Sequence, residues 1–210
     1  MRAPSKPLLR VLPPAGEITA SSVLSGDVDT AMLLAAYPAD QTLKGMFLSR
    51  LTKELGPDWR TIEKTLVSPP RLGTYVPFVD YPLVDHAALI MHVAKKRAPS
   101  TPHREAVRRL ARDDIGTFLE STIGRVTAAA VSKPDEALLA LPDIYRLVVT
   151  GPRYAAARVG PQHVRLLLTN AFGLWEYQIG QIEGIVRHYG AEARTRCSLE
   201  ADVRTFDVAW

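Results

Sequence analysis

Residues 166–210, LLLTNAFGLWEYQIGQIEGIVRHYGAEARTRCSLEADVRTFDVAW, decide how the rest of the chain is read. Two segments near the end alternate apolar and polar residues. Ala193, Thr195, Cys197 and Leu199 fall on one side of the first, and Phe206, Val208 and Trp210 on one side of the second. Period-2 alternation predicts strands with one buried face, here joined by a turn at Glu200-Ala201-Asp202. Before them, Trp175, Ile179, Ile182, Val186 and Tyr189 recur at helical spacing and predict a helix from Leu174 to Tyr189 with one continuous apolar stripe. Just upstream, Arg153–Val159 and His163–Thr169 flank Gly160-Pro161 as a further hairpin, with Val164, Leu166 and Leu168 on one face. The region Gly151 to Trp210 is therefore expected to be a β-β-α-β-β module. Its helix would cover the inner face of a four-stranded antiparallel sheet.

The 150 residues ahead of it read as helices. Met1 to about Ile18 carries Pro4, Pro7, Pro13 and Pro14 and predicts a flexible tail, leaving residues 19–210 as one domain. Helices are expected over Val28–Ala36 with Asp27 as cap, over Pro38–Leu55, and over Asp58–Val67. Others follow over Leu83–Ala94, His103–Arg112, Asp113–Val131 and Pro134–Val149, the last with a kink or a restart at Pro142. Helices first and strands after give an α+β class, with residues 19–150 forming a helical part packed on the C-terminal sheet.

Composition narrows the function classes. Of 210 residues, 47% are hydrophobic, and the net charge of +4 is well short of a dedicated nucleic-acid binder. Cys197 is the single cysteine, so no disulfide forms within the chain and a reducing cytoplasm suits it. No apolar run reaches the roughly 18 residues of a membrane span.

Chemistry-bearing motifs are few. There is no GxGxxG, P-loop, HExxH or GxSxG, so no catalytic constellation or enzyme activity is expected. His86 and His92 are six residues apart and point to different faces of a helix, so no metal site is expected. The loop SPPRLGTYVPFVDYP, residues 68–82, holds Tyr75, Phe78 and Tyr81 between prolines. These aromatics either pack a crossover or line a ligand pocket. Between Lys95 and Arg112 there are seven Lys or Arg and one acid, Glu105. Arg104, Arg108, Arg109 and Arg112 form either a solvated helix face or a docking patch for an anionic surface, without sequence-specific nucleic-acid contacts. Gly180 and Gly184 stack on one face of the C-terminal helix. Each costs about 1 kcal/mol against alanine, so another backbone is expected close by, from this chain or from a second subunit.

The C-terminal module resembles the end of the 4-vinyl-reductase-type small-molecule-binding domain. Its superfamily includes the haem nitric-oxide/oxygen-binding (H-NOX) domains and the TRAPP vesicle-tethering subunits. A whole-length resemblance, over about Asp40 to Trp210, is to an uncharacterised paralogous family of myxobacteria. It rests on Lys44-Gly45-Met46-Phe47, on Tyr75-x-Pro77-Phe78-x-Asp80-Tyr81-Pro82, on Gly124-Arg125, and on Leu141-Pro142 with Tyr145. The resemblance implies an H-NOX/TRAPP-like fold. The H-NOX signature Tyr-x-Ser-x-Arg, which holds the haem propionates, is matched by Tyr154-Ala155-Ala156-Ala157-Arg158 with Ala156 in place of serine. His86 or His92 would have to be the axial ligand. No cofactor, haem included, is expected. The reading is a non-enzymatic sensory or regulatory module that binds a small apolar ligand, with Tyr154 and Arg158 as further pocket candidates, or a regulatory protein partner. The alternative is a homodimeric scaffold of TRAPP-subunit type without a ligand.

Overall fold

The computed structural model describes residues 16–19, 28–70, 73–200 and 202–210. The expected tail over residues 1–15, the cap at Asp27 and the turn residue Ala201 lie outside them.

The C-terminal module forms as its alternation requires. Strands β5 (Arg153–Gly160) and β6 (His163–Thr169) make the first hairpin, and β7 (Arg194–Glu200) and β8 (Val203–Ala209) the second. Helix α8 (Trp175–His188) lies between them. All pairings are antiparallel, in the order β7-β8-β6-β5. In the register, Leu166 faces Phe206, which faces Cys197, while Val164 faces Val208, which faces Thr195. These side chains are buried under Trp175, Ile179, Ile182 and Val186 of α8. Each fully buried Leu, Ile, Val or Phe contributes roughly 1.5–3 kcal/mol, so this layer is a main source of stability. A fifth strand, β1 (Gly16–Thr19), pairs with β7 from Gly16↔Cys197 to Thr19↔Arg194. The expected tail is therefore too long: residues 16–18 belong to the sheet.

Upstream, the elements are α1 (Thr30–Ala35), β2 (Thr42–Lys44), α2 (Gly45–Leu55), α3 (Trp59–Glu63), β3 (Asp80–Pro82), α4 (Leu83–Arg97), α5 (His103–Glu120), α6 (Thr122–Ala129), α7 (Pro134–Val148) and β4 (Val149–Thr150). Four expectations are corrected. The helix expected from Pro38 begins at Gly45, because Thr42–Lys44 is a strand between β3 and β4 in a second, three-stranded sheet. The helix expected through Val67 stops at Glu63. The backbone N–H groups of Val67 and Ser68 donate instead to the Asp85 carboxylate, each at 2.8 Å. The break placed at Asp113 lies at Ser121, whose Oγ accepts the Gly124 N–H at 3.0 Å and starts α6. Finally, α7 does not restart at Pro142: the proline lies inside one helix.

Helix α5 joins the two parts of the molecule by packing along α8. A Cβ on Gly180 would lie 2.9 Å from the Ala111 Cβ and closer still to the Arg108 carbonyl. One on Gly184 would lie 2.5 Å from the Arg112 carbonyl oxygen. The missing side chains let the two backbones touch.

Candidate functional site

Helix α8 has three sides. One covers the sheet, and a second meets α5 through Gly180 and Gly184. The third carries Tyr177, Gln178, Gln181 and Ile185, and it faces a cavity of about 310 Å³. That volume falls in the range of small-molecule sites. Helices α2, α4, α5 and α7 and strands β5 and β6 supply the other walls, so the cavity lies at the seam between the helical part and the C-terminal module. Most of the wall is apolar, including Phe47, Ile90, Ile115, Leu141 and Leu168.

Several polar groups on the wall engage one another. Arg50 of α2 forms an ion pair with Asp114 of α5, and Asp114 also receives Arg97 Nη1 at 3.3 Å. Burial pushes the Asp114 carboxyl up, against the pull of Arg50 and Arg97. Tyr145 donates to Gln181 Oε1 at 3.2 Å, and its phenol is pushed up to about 12 by burial. The Tyr154 ring stands edge-on to Tyr145 at 4.5 Å.

His86 stands apart from these pairs. Its side chain is buried, with 8% of the residue exposed, and makes no hydrogen bond to a described residue. It meets the Tyr177 ring edge-on at 5.8 Å. Burial, and then the nearby Arg50, push its pKa down to about 3, so at neutral pH the imidazole is uncharged. Sequence reasoning named His86 only as an imaginable iron ligand. The chain showed no sign that Arg50, Asp114, Tyr177 and Gln181 would share a wall with it, because they come from three helices.

The pocket candidates separate. Tyr154 lines the cavity, but Arg158 does not; Arg158 forms an ion pair with the buried Asp135 of α7. Tyr75 is buried away from the cavity, against Trp59 at 6.0 Å and Tyr81 at 4.6 Å. Phe78 is exposed. Tyr75 and Tyr81 therefore pack the crossover, Phe78 stands exposed, and none of the three lines the cavity.

The docking candidates are corrected too. Arg104 and Arg108 are buried, not presented to a partner. Arg104 Nη1 meets Glu176 Oε1 at 2.8 Å, and Arg108 Nε meets both Glu183 oxygens at 3.1 Å. Arg109 is exposed and paired with Glu105, and Arg112 lies 3.7 Å from Asp113. Gly180 and Gly184 are buried against α5. Two of these four arginines, Arg104 and Arg108, thus belong to internal ion pairs, while Arg109 and Arg112 remain at the surface. Among the described residues no helix is long and apolar enough to cross a membrane, and no group of three potential metal ligands forms.

Comparison with known proteins agrees with this architecture. A family model described as "Protein of unknown function (DUF2378)" matches residues 37–210. No curated protein matches in sequence. Among solved structures, a mutant Fe(II) unliganded H-NOX protein from K. algicida matches with a TM-score of 0.59 at 11% identity, over 80% of this chain and 96% of that one. A point mutant of the T. tengcongensis H-NOX matches with a TM-score of 0.56 at 18% identity, over 79% and 95%. A third, from work on haem distortion in the H-NOX family, matches with a TM-score of 0.58 at 16% identity, over 79% and 93%. Identities this low establish the fold alone, which is H-NOX-like.

Those relatives point toward haem, and the cavity wall tests that. A haem needs partners for two carboxylates. In this chain Ala156 lacks a hydroxyl, and Arg158 lies off the cavity and is neutralised by Asp135. Arg50, the one cation on the described wall, is already held by Asp114. His86 offers an imidazole, but the side chains that would hold the propionates do not fit.

Proposed function

For a chain that belongs to the family described as protein of unknown function (DUF2378) and has an H-NOX-like fold, we propose a non-enzymatic sensory module that binds a small, mostly apolar, uncharged molecule at the seam between helices and sheet. The cavity of about 310 Å³ carries this reading. A hydrophobic core normally leaves few voids larger than a water molecule, so a space of this size among aliphatic and aromatic walls suits a ligand better than water. Its walls come from both parts of the fold. An occupant would set how α2 and α4 sit against α8, and so alter a surface that a regulatory partner reads.

Fluorescence of N-phenyl-1-naphthylamine, a neutral apolar dye, tests the proposal. The dye is expected to bind in a one-to-one complex and to raise the melting temperature. Ala87→Phe, which fills the cavity from α4, should abolish dye binding without lowering the melting temperature. Hemin is expected to give no stoichiometric complex. Absence of dye binding, or dye binding unaffected by Ala87→Phe, would rule the cavity out as a ligand site.

A further inference from the structure

The polar inventory of the cavity says what kind of head group its ligand carries. We infer that His86 is the recognition group of the cavity and that it holds the hydroxyl or carbonyl of an uncharged amphiphile, a long-chain alcohol or ketone, in preference to a carboxylate. The inference rests on the ligand-binding reading above and goes beyond it by naming the ligand's chemistry.

Three observations converge. First, the His86 imidazole lines the cavity with no hydrogen-bond partner among the described residues, although only 8% of the residue is exposed. A ring nitrogen open to the cavity can exchange a hydrogen bond with whatever occupies it. Second, the other polar groups discussed on the wall are already engaged: Arg50 with Asp114, and Tyr145 with Gln181. A ligand's polar atom would therefore meet His86, beside the Tyr37 and Tyr177 phenols of the same wall. Third, the wall offers no free countercharge, because Arg50 is neutralised and the imidazole is itself uncharged. Burying a carboxylate there would leave it unpaired, whereas a hydroxyl can donate to one ring nitrogen or accept from the other. The Tyr177 ring stands edge-on to the imidazole at 5.8 Å.

Displacement of bound N-phenyl-1-naphthylamine tests this on the full chain. Three competitors separate the contributions: decan-1-ol, decanoate and 1-chlorodecane, which lacks a strong hydrogen-bonding group. In the wild-type protein decan-1-ol should displace the dye at least about tenfold better than decanoate. His86→Leu should weaken decan-1-ol by about five- to tenfold and leave 1-chlorodecane unchanged or tighter. His86→Gln, which keeps a donor and an acceptor, should retain most of the decan-1-ol affinity. Unchanged 1-chlorodecane binding shows that the variants still fold around an intact cavity. Equal weakening of both decyl compounds, or no effect of His86→Leu on decan-1-ol, overturns the assignment. So does a stoichiometric hemin complex that His86→Leu abolishes, because the imidazole would then be a metal ligand. If the dye does not bind at all, the cavity reading itself falls and this inference falls with it.

Discussion

Arg108 on α5 and Glu183 on α8 are bound through a forked contact, Arg108 Nε reaching both carboxylate oxygens at 3.1 Å, with each side chain at most 5% exposed. Two charges taken this far from water are mutually dependent. Removing the Glu183 carboxylate takes the countercharge from a buried guanidinium, at a cost of about 3–5 kcal/mol. Glu183→Ala should lose that much stability in urea unfolding. The double variant Arg108→Met/Glu183→Leu should recover most of it, since an apolar pair of similar volume avoids desolvation altogether. A Glu183→Ala protein as stable as wild type would show that water reaches Arg108.

Gly180 gives an independent test of the same interface. Alanine there gains about 1 kcal/mol in helix propensity. Its Cβ, however, would run into the Arg108 carbonyl, an obstacle of backbone that cannot swing aside. Overpacking of this kind costs about 1–3 kcal/mol or more. Gly180→Ala should therefore be destabilised by at least about 1 kcal/mol in chemical denaturation, and a stabilised variant would mean that α5 and α8 separate freely.

Trp175 is 1% exposed, with its ring 5.5 Å from Phe206 and the Arg204 guanidinium 5.1 Å from its centre. Arg204 is itself buried, donating to Gln178 Oε1 at 3.1 Å and to the Gly173 carbonyl at 2.9 Å, and burial pulls its pKa down to about 10. Trp175→Ala should cost about 3–5 kcal/mol by thermal or urea unfolding. A loss below about 1 kcal/mol would place the indole outside the core.

Acid stability should depend on His86. Its folded pKa is about 3, below its ordinary 6.5, so between these values the unfolded chain binds the extra proton. Stability is therefore intact above about pH 6.5 and falls as pH drops toward 3, by up to about 1.4 kcal/mol per pH unit. His86→Gln should flatten the unfolding free energy against pH in that window relative to wild type. Superimposable pH profiles would mean that the imidazole can be protonated in place.

The hairpins and α8 were legible because their signal is local: alternation on β7 and β8, and a stripe from Trp175 to Val186. The second sheet was not, because Thr42–Lys44 is a strand only by pairing with Asp80–Pro82 and Val149–Thr150, far off in sequence. Arginine at every turn of α5 reads as a wet face, yet Arg104 and Arg108 point at carboxylates on α8, more than 70 residues away. The cavity was hidden for the same reason. His86, Asp114, Tyr145 and Tyr177 stand on four different helices, and only tertiary structure brings them to one wall.

The pairing of β2 with β4, across Thr42↔Thr150 and Leu43↔Val149, has a consequence for how the chain acquires its shape. Residue 150 is where a composition-based boundary would fall, yet it is stitched to the front of the chain, and α8 is clamped to α5. The last sixty residues are expected not to fold by themselves: expressed alone, they would present Gly180, Gly184, Glu176 and Glu183 without the α5 surface they pack against. Folding must close these long loops before either half is worth forming. Slow, single-step refolding of the whole, and an unstructured fragment beyond residue 150, are the kinetic counterparts of a ligand site built from both ends of the sequence.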